Sequence, residues 1–141
     1  QIEQLAGIPC RAEIASEYRY RKPVVPQNSL FIAVSQSGET ADTLAALRYC
    51  KEQGLKTLAV VNVPESTIWR EADARLPTLA GPEIGVASTK CFSTQLCVLL
   101  LLSIHLGRRR STLSSSTASW MADAPMRGSD ECAALPVIFT S

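Results

Sequence analysis

Short apolar runs alternating with longer helix-like segments predict an α/β fold, a parallel sheet covered by helices. Three observations carry that expectation. Leu30-Phe31-Ile32-Ala33-Val34 is continuously apolar and partly β-branched, as a strand buried on both faces should be. Thr57-Leu58-Ala59-Val60-Val61 is a second such run. Between them, Glu39 to Gln53 carries helix start and stop signals, with Glu39 and Asp42 in its first turn and Gly54 just past its last.

The remaining elements follow in chain order. Pro9 to Ala15 reads as a strand and Ser16 to Tyr20 as a short helical turn. After Val61, Asn62-Val63-Pro64 is a turn, Ser66 is placed to cap a short helix through Glu71, and Ala74 to Leu79 is a fourth, weaker strand. Gly81-Pro82-Glu83-Ile84-Gly85 is loop chemistry. A long helix is expected from near Ser88 to Leu106, with Gly107 as its stop and Arg108 to Arg110 at its negative end. From Ser111 to Ser119 the chain is almost entirely Ser, Thr and Ala, and Trp120 to Ser141 has no clean helical or strand period. Residues 1–110 are therefore read as a domain and residues 111–141 as a tail of unknown or no fold.

A chain of 141 residues, 46% hydrophobic and 19% charged, has material for one core. Fourteen Lys and Arg against thirteen Asp and Glu leave no field that would draw it to nucleic acid or an anionic membrane, so any anion must be captured locally. The three arginines at 108–110 are a solvated helix end. The stretch from Leu96 to Leu106 is broken by Ser103 and His105 and is shorter than the roughly 20 apolar residues a membrane span needs, which favours a buried helix. Five widely spaced cysteines, Cys10, Cys50, Cys91, Cys97 and Cys132, form no C-x-x-C pair and have no histidine cluster beside them. Neither a disulfide frame nor a metal site is expected, no cofactor is called for, and the setting is read as cytoplasmic. The chain opens at Gln1-Ile2-Glu3-Gln4 without an initiator methionine, as an excised fragment would.

The chemistry concentrates in Ser35-Gln36-Ser37-Gly38-Glu39-Thr40, which joins the end of a buried strand to the start of a helix. The first amides of a helix have no intrahelical partner and lie at its positive end, so such a turn binds anions before any side chain contributes. Gly38 admits close backbone approach, the Ser35, Ser37 and Thr40 hydroxyls add donors, and the Gln36 amide adds another. No G-x-x-x-x-G-K-[ST] or G-x-G-x-x-G is present, which disfavours a nucleoside triphosphate and suits a single phosphate on a small molecule. The bland alternative is that Ser37 caps a helix and Ser35 ends a strand. The carboxyl edge of a parallel sheet, where open α/β proteins bind ligands, favours the functional reading. Glu83 to Lys90 should lie at the same edge, where Ser88 is as well explained by a plain helix cap as by a sugar contact. Glu39 and Glu83 fall near the expected pocket as capping or first-turn carboxylates, and His105 lies in the apolar helix as a core or interface residue.

Taken together, Ser35 to Thr43, Asn62-Val63-Pro64, Glu83 to Lys90 and Thr94-Gln95-Leu96 resemble the first sugar-isomerase (SIS) lobe of the isomerising glutamine–fructose-6-phosphate aminotransferases. Leu5 to Cys10 and Glu13 to Arg21 match that family as well, so the resemblance spans about residues 5–110. It implies a flavodoxin-like three-layer parallel sheet, and a homodimeric parent enzyme that makes glucosamine 6-phosphate from fructose 6-phosphate and glutamine. It implies that Ser35, Gln36, Ser37 and Thr40 bind the phosphate of fructose 6-phosphate or glucosamine 6-phosphate, with Val86 and Ser88 touching the sugar. The resemblance also implies what is missing: the glutaminase domain, the second SIS lobe with its catalytic groups, and the first strand of this lobe. No residue is therefore assigned a catalytic role, and the chain is expected to be inactive alone. That first strand is central in the family, so its loss would leave two neighbours with unpaired edges. The alternative reading is a regulatory SIS module that senses a phosphosugar.

Overall fold

The computed structural model describes residues 1–81, 89–113 and 137–140. Five strands form one parallel sheet in the order β1-β5-β2-β3-β4. They are β1 (Cys10–Glu13), β2 (Leu30–Ser35), β3 (Lys56–Val61), β4 (Ala74–Pro77) and β5 (Val137–Thr140). The helices are α1 (Ile2–Ala6), α2 (Ala15–Arg21), α3 (Ala41–Glu52), α4 (Thr67–Glu71) and α5 (Thr89–Arg109).

The pleat of β2 and β3 divides their side chains between two cores. Phe31, Ala33, Ala59 and Val61 face a cluster built from Tyr18 of α2, Ala46, Leu47 and Cys50 of α3, and Ile68 of α4. Ile32, Val34, Leu58 and Val60 face the other way, onto Ile2 and Ala6 of α1 and Leu102 of α5. The result is the three-layer α/β arrangement that the apolar runs imply. At 5.9 Å the Tyr18 and Phe31 rings meet in a tilted pair, and the buried Tyr18 hydroxyl lies 3.3 Å from Cys50 Sγ, so neither polar group is left without a partner.

α5 has the length and apolar composition that a membrane span also has. One side of it, through Val98, Leu99, Leu102 and Leu106, packs on the sheet, while Phe92, Leu96 and Leu101 are exposed. It continues past Gly107, which is not its stop. A Cβ on Gly107 would lie 2.4 Å from the Leu5 carbonyl oxygen, so the glycine is a packing requirement between α5 and the end of α1. The chain leaves the helix at Ser111, which takes a left-handed φ of 56°. Thr112 Oγ1 then closes the end by donating to the carbonyls of Leu5 and Gly107 at 2.7 and 2.9 Å.

The expectation of two unpaired edges is not met. The position between β1 and β2 is filled by β5, with Val137 opposite both Cys10 and Leu30 and Ala33 opposite Thr140. These four residues belong to the stretch read as a tail, and the sequence gives no sign of them because four residues are too few to display a period. The rest of that reading, residues 114–136 and 141, lies outside the described residues. A parallel strand between two others satisfies backbone groups on both sides, and removing it strands both rows of donors and acceptors. Truncating the chain after Pro136 should therefore abolish a cooperative thermal transition followed by circular dichroism. An unchanged midpoint would show that the sheet stands without β5.

Candidate functional site

Because the strands are parallel, β2, β3 and β4 all deliver their carboxyl ends to one edge. One residue knots these ends together, by its backbone on one side and its side chain on the other. Asn62, just past β3, donates its amide N–H to the Gln36 carbonyl at 3.1 Å, and its Nδ2 to the Gly81 carbonyl at 2.9 Å. Its Oδ1 accepts from Thr78 Oγ1 at 3.2 Å and from the Ala80 amide at 2.8 Å. The sequence marks Asn62 only as a turn residue. The signal of its larger role was its place directly after a buried strand, where a side-chain amide can both donate and accept.

At the same edge, β2 turns into α3 through residues 36–40. Ser35 is buried, Gln36 and Ser37 are half-buried, and Thr40 and Ala41 are exposed. Ser35 Oγ accepts from the Gly38 amide at 3.1 Å and lies 3.0 Å from Thr40 Oγ1. Ser37 Oγ accepts from the Glu39 amide at 3.2 Å. Two loop amides expected to be free are thus engaged by the loop's own hydroxyls. The hydroxyl hydrogens are not exhausted by this. Ser35 and Thr40 share one hydrogen bond between two O–H groups, so whichever donates, the other's hydrogen remains for a ligand. Ser37 acts as acceptor within the loop and keeps its own hydrogen. Beyond them, the first bond of α3 runs from the Leu44 amide to the Thr40 carbonyl, and Thr40 gives no side-chain cap. The amides of Ala41, Asp42 and Thr43 are therefore the orphan donors at the positive end of a 12-residue helix.

Of the residues singled out from sequence, the structure brings Ser35, Gln36, Ser37 and Thr40 together in one turn. Val86 and Ser88, with Glu83, lie outside the described residues. Glu39 does cap a helix, but it is α4 and not α3: its Oε1 accepts from the Thr67 amide at 2.7 Å. Ser66 holds the N-cap position of α4 without making the expected cap bond.

His105, Cys10 and Cys50 stand apart from this edge. His105 precedes Gly107, whose contact with Leu5 lies just ahead of the start of β1, at the opposite end of the strands from Ser35. Burial, then the neighbouring Arg109 and Arg108, hold its imidazole below the ordinary value. Burial, then the charge of Glu3, pushes the Cys10 thiol up to about 11, and burial pushes Cys50 to about 11 against the hydrogen bond to Tyr18. Both are thiols and not thiolates at neutral pH, and so poor nucleophiles. Among the described residues no cluster of His, Cys, Asp or Glu is arranged to hold a metal.

A family model described as the SIS domain matches residues 1–105. The chain belongs to the SIS domain family. This SIS chain is 58% identical over 123 residues to a glutamine–fructose-6-phosphate aminotransferase [isomerizing] of Pseudomonas putida, a match covering 86% of the chain and 20% of that protein. It is 65% identical over 110 residues to the enzyme of the same name from Pectobacterium atrosepticum, covering 77% of the chain and 18% of the relative. Among solved structures, the C-terminal domain of glucosamine-fructose-6-phosphate aminotransferase from Francisella tularensis superposes with a TM-score of 0.81 at 47% identity, over 84% of this chain and 34% of that one. The SIS chain thus spans about a fifth of the length of the curated relatives it matches.

The turn admits no side chain at position 38. Gly38 has a left-handed φ of 68°, and a Cβ there would lie 2.0 Å from Ser66 Oγ and 2.6 Å from Ser66 Cβ. Gly38→Ala should cost roughly 1–2 kcal/mol for the left-handed backbone, with about 1–3 kcal/mol more for overpacking against Ser66. Chemical denaturation of the two proteins measures the sum, and a midpoint within error of the unsubstituted chain would show that the turn can open without penalty.

Proposed function

We propose that this SIS chain is the sugar-phosphate-binding part of the isomerase region of an enzyme making glucosamine 6-phosphate from fructose 6-phosphate and glutamine. The observation that carries the reading is the turn at the end of β2, where spare hydroxyl hydrogens on Ser37 and on the Ser35–Thr40 pair adjoin the uncapped amino terminus of α3. A phosphate monoester is a compact dianion with several acceptor oxygens, and neutral O–H and N–H donors at a helix start meet it without a lysine or arginine. Ser37, Thr40 and the Gln36 amide would receive the phosphate, with Ser35 bracing the turn and donating when Thr40 does not. Val86, through its backbone, and Ser88 would contact the sugar. The names carried by the similar proteins support the choice of ligand.

Binding, not turnover, is the role proposed for the chain by itself. A general base must reach the carbon it deprotonates, and His105 and the protonated thiols of Cys10 and Cys50 do not supply one at this edge. The parent assembly would be a cytoplasmic homodimer, and the free thiols of Cys10, Cys50 and Cys97 suit a reducing compartment.

Calorimetric titration of the 141-residue chain should give tighter binding of fructose 6-phosphate than of fructose. Replacing Ser37 and Thr40 together by Ala should remove most of that preference, since each hydrogen bond to a charged partner contributes about 1.5–3 kcal/mol. Equal affinity for the two sugars would refute the phosphate reading. Separately, the chain supplied with fructose 6-phosphate and ammonia should form no glucosamine 6-phosphate, and detectable product would show that a catalytic group had been overlooked.

A further inference from the structure

The amino terminus of α4 is capped by the phosphate loop and not by its own N-cap residue. Ser66 is 4% exposed, makes no side-chain cap bond, and its Oγ has no hydrogen-bond partner. Its Cβ and Oγ press against Gly38. The first two amides of α4 instead donate across to the loop, Thr67 N–H to Glu39 Oε1 at 2.7 Å and Ile68 N–H to the Gly38 carbonyl at 3.0 Å. Far along α3 a second tie closes the bracket, because Arg48 Nε and Nη2 grip the Glu71 carboxylate at the end of α4 at 2.8 and 2.5 Å.

We infer that Glu39 is a positioning residue of the phosphate loop, acting as a hydrogen-bond acceptor that anchors residues 37–39 to α4. The inference rests on the phosphosugar reading above and names what holds that site in shape. Glu39 carries the amide that donates to Ser37 Oγ and follows Gly38, whose own amide donates to Ser35 Oγ. Freeing its side chain from Thr67 loosens the two residues that set the direction of both serine hydroxyls. Ile68 N–H to the Gly38 carbonyl then remains as the only described bond between the loop and α4. Hydrogen bonding from the Thr67 side chain, then from its amide, holds the Glu39 carboxyl below its ordinary value, which agrees with an ionised acceptor at neutral pH. The carboxylate is not needed for its charge. A negative group close to a bound phosphate is unfavourable, so an uncharged acceptor of the same shape should serve as well or better.

Glu39→Ala, Glu39→Gln and the unsubstituted chain separate the possibilities when each is titrated with fructose 6-phosphate and with fructose. Amide exchange at Thr67 is read in parallel without ligand. Glu39→Ala should bind fructose 6-phosphate about two- to tenfold more weakly and exchange faster at Thr67. Glu39→Gln should restore both, with affinity equal to or above that of the unsubstituted chain. If the unsubstituted chain prefers fructose 6-phosphate and Glu39→Ala binds equally well, the positioning role is overturned while the phosphosugar reading stands. Should Glu39→Gln be as impaired as Glu39→Ala, charge and not the hydrogen bond is at work, and the inference fails. Absence of any preference in the unsubstituted chain overturns the phosphosugar reading and this inference with it, whatever the exchange data give. A Glu39→Ala protein that keeps its thermal midpoint but loses affinity supports positioning over a general loss of fold.

Discussion

Three elements meet at a point where there is room for only a hydrogen atom. β2 ends, α3 begins and α4 docks around the Cα of Gly38, whose backbone is left-handed and on which a Cβ would lie only 2.0 Å from Ser66 Oγ. From this single contact the geometry of the edge follows. The Gly38 amide can reach back to Ser35, its carbonyl can accept from Ile68, and the next residue can place a carboxylate on the Thr67 amide. The loop thus spends its own polar groups on holding its shape, and the donors it keeps in reserve are those of Ser37, of the Ser35–Thr40 pair and of the first turn of α3.

Below that edge, the sheet fixes where the loop can be. β2 and β3 pair in register over six residues, from Leu30 opposite Lys56 to Ser35 opposite Val61, so their ends are level and Asn62 falls within reach of Gln36. Side chains of both strands are buried on both faces, which pins the register because slipping by one residue would exchange the two cores. β5 then decides whether β2 is an interior strand or an edge. Drawn from the far end of the chain, it pairs with both β1 and β2 and joins β1 to the rest of the sheet.

How much of this was readable beforehand depended on how local the signal was. β2, β3 and α3 were legible because a run of buried β-branched residues or an acidic first turn ending at a glycine is written within a dozen positions. α1 went unread, since five residues of Ile2–Ala6 show little more than one turn of period, and its stability comes from packing on α5. Gly107 was misread as a stop because the sequence shows a glycine near arginines but not the Leu5 carbonyl that the missing Cβ makes room for. β5 was invisible for the same reason: its place is set by two strands more than 100 residues away in the chain. At the site, the hexapeptide announced the turn and its hydroxyls, whereas the partners of Glu39 and Asn62 lie 28 and up to 26 residues away and belong to tertiary structure alone.

The remaining question is how a turn carrying two carboxylates, Glu39 and Asp42, could hold a dianion with no cation in the loop itself. Each carboxylate is already committed. Asp42, in the first turn of α3, faces Arg19 of α2 at 2.9 Å, and Glu39 is bound to the amino end of α4. Both partners of the Arg19–Asp42 pair are more than a third exposed, so its contribution to stability is small. Its electrostatic effect at short range is different in kind: it pairs off a charge that would otherwise oppose an anion at the start of the helix. The amide of Thr67 does the same for Glu39 with a partial charge. What is left facing the edge is the uncompensated positive end of α3 and a set of neutral hydroxyls, while the chain as a whole stays close to electrical balance.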